Sequence, residues 1–143
     1  MKPISQNSKY FVKGTYVKRI KEFTDRELGK DSIIEAAKSL DLIFPDMLLA
    51  SVKYNASEIF LVTENLILSR KRDLQKFYFD MATYALESDL NSVYKMFVNL
   101  SGPQFVYKML PQINNAYFNF ITQEVIINET NHVRVVASVL NDK

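Results

Sequence analysis

The residues of this chain that could do chemistry are one histidine, a scatter of carboxylates and two basic clusters. His132 is the single histidine among 143 residues, and there is no cysteine. A zinc site or an iron–sulfur cluster needs several such ligands, and a catalytic triad needs a histidine beside a nucleophile and an orienting group. Next to a turn at 128–131, with Glu129 as its neighbour, His132 reads as a surface residue. No metal or cofactor is expected. The lack of cysteine also removes disulfides and thiol nucleophiles and leaves the redox compartment undetermined. Glu22 with Asp25, and Glu87 with Asp89, are carboxylate pairs on helix surfaces and joints, where solvated charge is the ordinary state. Gly14, Gly29 and Gly102 are isolated, so there is no phosphate-cradling loop. The chain reads as non-enzymatic.

The basic residues suggest a different chemistry. Lys9, Lys13, Lys18, Arg19 and Lys21 surround Tyr10, Phe11 and Tyr16, and Arg70, Lys71 and Arg72 form a second cluster. Cations interleaved with aromatics are what single-stranded nucleic acid requires. The net charge is only +2 and the pI about 8.7, short of a strongly basic footprint, so nucleic-acid binding is the alternative reading rather than the first. Charge is unevenly spread: residues 1–30 carry eight Lys/Arg against three acids, and residues 31–68 carry two Lys against six. Two such segments can pack against each other or guide a partner. Eight Tyr and ten Phe are the other surplus. Tyr78, Tyr84, Tyr94, Tyr107 and Tyr117 could line a pocket for a small apolar ligand, since buried hydroxyls need partners, or belong to an ordinary aromatic core.

The elements that must position these residues follow from periodicity. Tyr16, Ile20, Phe23 and Leu28 predict a first helix closed by an αL cap at Gly29. Ser32 with Glu35 predicts a capping box for a second helix, broken at Phe44-Pro45, with a short helical turn expected within 46–52. Asn55 with Glu58 repeats the signature before a third helix, and a fourth runs from Asp73 to about Glu87. Leu90, Val93, Tyr94, Phe97 and Leu100 predict a fifth. Ser101 caps a sixth, with Pro103 in its first turn and a bend at Pro111. From Asn119 to Leu140 β-branched residues flank the turn at 128–131, so a hairpin closes the chain. The predicted fold is α+β: about six helices followed by a C-terminal antiparallel β-hairpin, with residues 1–11 as a flexible arm and 12–143 as one domain.

Val12-Lys13-Gly14-Thr15, Leu28-Gly29, Val93-Tyr94, Leu100-Ser101-Gly102-Pro103, Leu110-Pro111 and Tyr117-Phe118 ahead of a hairpin form a pattern that resembles the uncharacterised bacterial DUF2378 family expanded in myxobacteria. That family is similar in helix order to the haem-nitric-oxide-binding and 4-vinyl-reductase-like sensor folds. The resemblance implies a sensor or signalling role with helices packed on a curved sheet. Two departures stand out. No histidine occurs in the helices and there is no Tyr-x-Ser-x-Arg sequence, so haem is not carried over. The chain also ends at Lys143 where similar families continue with more strands, so a shortened version with an exposed sheet edge is expected.

Such an edge would template strand addition. Val133, Val135, Ala137 and Val139 fall on one strand face, and Arg134, Val136, Ser138 and Leu140 on the other, which is the candidate interface. The expected function is a non-enzymatic sensor or protein-interaction domain working through a homodimer, a protein partner or a small apolar ligand. The polar segment at 1–10 and the lack of about 18 consecutive apolar residues predict a cytoplasmic protein with no membrane span.

Overall fold

Apolar residues at three- and four-residue intervals build α1 (Gly14–Leu28) and α3 (Ala56–Ser69) in a computed structural model that describes residues 1–6, 8–89, 117–129 and 132–139. Val17, Ile20, Phe23, Thr24 and Leu28 form the buried stripe of α1, and Ile59, Val62, Thr63, Leu66 and Ile67 that of α3. Thr24 and Thr63 are fully buried, and the desolvation of their hydroxyls is offset by donation to Lys21 O (3.0 Å) and Ile59 O (2.7 Å). The shorter α2 (Ser32–Ser39) adds Ile33 and Ala37 to the core, and α4 (Leu74–Asp89) adds Phe77, Met81 and Ala85, spaced by four. Asn55 caps α3 by accepting from Glu58 N at 3.1 Å, and Asp73 accepts from Lys76 N at 2.7 Å at the start of α4.

Short strands thread between these helices. β1 (Lys2–Pro3) runs parallel to β3 (Leu42–Ile43), and β2 (Phe11–Lys13) pairs antiparallel with β4 (Lys53–Asn55), placing Val12 opposite Tyr54 on the buried face. Gly14 N donates to Val52 O at 2.7 Å, and a Cβ at Gly14 would stand 1.8 Å from Leu49 O. Only glycine lets the 46–52 loop pass so close to the start of α1. Residues 1–6 are tied down as well. Lys2 N donates to Asp41 O and Ile4 N to Ile43 O, the Ile4 side chain is buried, and Ser5 gives its N–H (2.6 Å) and hydroxyl (3.2 Å) to the Glu58 carboxylate.

Two compact units divide the chain, Met1–Leu86 and Glu87–Lys143. In the second, β5 (Ile121–Glu129) pairs antiparallel with β6 (His132–Val139), from Ile121 opposite Val139 to Glu129 opposite His132. The register slips between Val125 and Ile127, a bulge that puts one extra residue on β5. Tyr117, Phe118 and Phe120 stack edge-on in sequence, with centroids 6.0 and 5.5 Å apart.

Six helices followed by a hairpin is therefore not the architecture. Four helices are described, and four short strands are interleaved with them before the β5–β6 pair. The predicted fifth helix over 90–100, and the sixth up to residue 116, lie outside the described residues. The early strands escape a reading by period because two or three residues cannot display one, and their pairing is made with backbone far away in sequence. The segment 1–6, expected within a mobile arm, is held by the bonds above. No helix forms within 46–52. Nor does Ser32 cap α2: Asp31, at φ 60°, occupies the N-cap, Ser32 is the first helical residue, and its hydroxyl reaches Thr24 O at 3.4 Å. Gly29 ends α1 at φ 106°, ψ 149°, outside the αL well. Among the described residues no helix is long and apolar enough to cross a membrane.

Candidate functional site

Of the five tyrosines expected to line a pocket, Tyr78 and Tyr84 lie on α4 and face different neighbours. Tyr78 packs edge-on against Phe60 of α3 with centroids 6.1 Å apart. Six positions along α4, Tyr84 turns to α1 instead: its ring lies 5.6 Å from Phe23 and its hydroxyl donates to Glu22 Oε2 at 3.1 Å. Six residues correspond to about 240° of helix rotation, so the two rings leave α4 in different directions. The Arg26 guanidinium lies over both Phe23 and Tyr84, 5.0 and 4.9 Å from their centroids, a stack that sequence reading missed although Phe23 and Arg26 are one turn apart. Tyr117 is buried in the second unit, and Tyr94 and Tyr107 lie outside the described residues. Burial, with the nearby Tyr78, pushes the Tyr16 hydroxyl up to about 12; burial, with the Glu64 charge, does the same for Tyr78. Tyr16 belongs to the core and Tyr78 is half-buried, and in both burial favours the neutral hydroxyl.

Several residues of the basic clusters make contacts that shape the fold, while Lys18, Arg70, Lys71 and Arg72 are exposed. Arg70, Lys71 and Arg72 terminate α3: Lys71 takes φ 56°, Lys71 N donates to Leu68 O and Arg72 N to Ile67 O, the paired bonds of a Schellman motif. Arg70 Nη1 then donates to Leu28 O at 2.9 Å, with Arg72 Nη2 at 3.4 Å from Glu27 O, so both cations sit at the negative end of α1. Arg19 pairs with Glu22 at 3.0 Å. Lys21 binds Asp25 at 2.7 Å and Asp31 at 3.1 Å, and Asp31 N donates to Asp25, which locks the turn between α1 and α2. Partial burial works against the Lys21 charge, but the two aspartates outweigh it and hold its pKa above the ordinary lysine value. Lys9 lies over Tyr10 with its ammonium 5.3 Å from the ring centroid, Lys13 is half-buried in β2, and Lys18 is exposed. Lys18, Lys21, Glu22, Asp25, Asp46 and Leu48 line an open depression of about 260 Å³, whose rim of mixed charge is unsuited to an apolar ligand. Among the described residues no group of His, Asp and Glu could hold a metal ion.

β6 is exposed wherever its side chains are described. Of the expected interface residues Arg134, Val136 and Ser138 are exposed, and Leu140 lies outside the described residues. Ala137 and Val139, on the other strand face, are exposed too, Val139 to 62%. The two edges of this ribbon are not equivalent. β5 has a bulge and carries Glu124 within the strand, both of which discourage a further neighbour. The run Val135–Val139 of β6 has no charge, proline or bulge. Among the described residues its one strand neighbour is β5.

Compared with known proteins, the chain matches no family model, no curated protein and no solved structure.

Proposed function

We propose that this chain is a non-enzymatic protein-interaction domain that engages other chains by strand addition along β6. The observation that carries this reading is the uncharged run Val135–Val139, with residues 136–139 exposed in succession and therefore on both strand faces. Backbone groups on such an edge supply affinity, and alternate side chains supply selectivity. A labelled peptide with the β6 sequence, His132 to Val139, tests it by fluorescence anisotropy. Saturable binding to the parent is expected, with strong weakening in Ala137→Pro, which stiffens the edge and removes a donor, while helical circular dichroism is retained. Equal binding by parent and variant, or none by either, would overturn the reading.

A further inference from the structure

We infer that the strand β6 accepts is β6 of a second copy of this chain, in an antiparallel pair whose two-fold axis passes at Val136. The inference rests on the strand-addition reading and adds the occupant and the register.

Symmetry limits the choices. A two-fold axis normal to the sheet leaves each strand's up and down faces unchanged, so even-numbered residues oppose even and odd oppose odd, and one residue opposes itself. Centres at Val135 and Val136 give symmetric stretches of equal length, 132–138 and 133–139. Only the second keeps Val139, exposed to 62%, inside the pair, whereas the first leaves it outside and sets Arg134 opposite Val136. With the axis at Val136, Val133 is opposite Val139, Arg134 opposite Ser138, and Val135 opposite Ala137. Arg134, the one charged residue from 133 to 139, meets a hydroxyl residue and never its own copy. An axis at Arg134 would set like charges face to face, which is destabilising. The alternative head-to-tail pairing, β6 of one copy on β5 of the next, meets the β5 bulge and does not close, so it would grow as a filament. Joining β6 to β6 makes four strands of two, and three or more strands give a ribbon the stability that two lack.

The absence of native cysteine makes the register directly readable, since any disulfide formed is the engineered one. Self-opposed residues in an antiparallel pair have Cα atoms about 4.5–5.5 Å apart, within disulfide reach. Two copies of residue 137 would be offset along the strands to about 8 Å, beyond it. Under mild oxidation Val136→Cys should therefore give a covalent dimer and Ala137→Cys should not, and a mixture of Arg134→Cys with Ser138→Cys chains should give mixed dimers. Sedimentation of the parent should show a dimer. A monomeric parent with no Val136→Cys dimer overturns the second copy; if the β6 peptide still binds, strand addition survives with a foreign partner, and if it does not, that reading falls too. Crosslinking of Ala137→Cys as readily as Val136→Cys overturns the register.

Discussion

Gly14 shows how one missing side chain sets the path of a loop. Alanine there would gain about 1 kcal/mol of helix propensity, but its Cβ would meet the Leu49 carbonyl, which is backbone and moves only with the 46–52 loop. Overpacking of that kind costs about 3 kcal/mol, so Gly14→Ala should lose about 2 kcal/mol net in urea unfolding; an unchanged midpoint would show that the loop yields freely. Tyr16 offers a pH test. Its hydroxyl is pushed from 10.0 in the unfolded chain up to about 12 in the fold, so the native state holds the proton more tightly. The stability this contributes is complete below pH 10 and is lost as the pH rises from 10 to 12. Tyr16→Phe should therefore flatten the alkaline limb of the stability curve over that window, and a parallel decline in both proteins would remove Tyr16 as a cause.

At the scale of elements, α3 ends on a residue poorly suited to the task. Lys71 fills the left-handed position of a Schellman motif that glycine fills at least cost. Lys71→Gly should stabilise by about 0.5–1 kcal/mol, relief of side-chain strain exceeding the added chain entropy, and thermal denaturation would read it as a higher midpoint. A lower midpoint would mean that the lysine side chain makes a contact that matters more. The same joint shows what the sequence left hidden. Arg70 and Arg72 stand 42 and 45 residues from the carbonyls they approach, so a cluster that reads locally as a nucleic-acid patch also serves as a tertiary helix cap. α1 and α3 were legible because their buried stripes repeat within one helix, and Asn55 because a cap acts three residues away. β1 to β4 were not, since each consists of two or three residues defined by a distant partner. Side-chain direction was hidden for a similar reason: recurrence along the chain says nothing of it, and Tyr78 and Tyr84 leave one helix toward different neighbours. The long β-branched run at the C-terminal end was legible as strand, but the bulge that makes its two edges unequal was not, because it is a property of pairing.

For the whole molecule, the division into Met1–Leu86 and Glu87–Lys143 makes the effect of assembly separable by segment. The first unit has its own buried core from α1, α2, α3 and α4, in which Ile20, Ile33, Ile59, Ile67 and Met81 are fully enclosed. A two-stranded ribbon is marginal in water, whereas the four-stranded sheet of a dimer is not. Any partner that binds only the folded form stabilises it in proportion to the logarithm of its concentration, and for self-association that partner is the protein itself. Hydrogen exchange across β5 and β6 should therefore slow as protein concentration rises, while exchange in α1 and α3 stays constant. Val136→Lys places a cation beside its own symmetry mate on the axis, where like charges repel, so it should abolish the concentration dependence of β5 and β6 and leave α1 and α3 as in the parent. Exchange in β6 that is independent of concentration in the parent would show that no second copy covers that edge. A loss of protection in α1 and α3 of the Val136→Lys variant would show instead that the charge acts on the core, and that the first unit depends on the ribbon for its own stability.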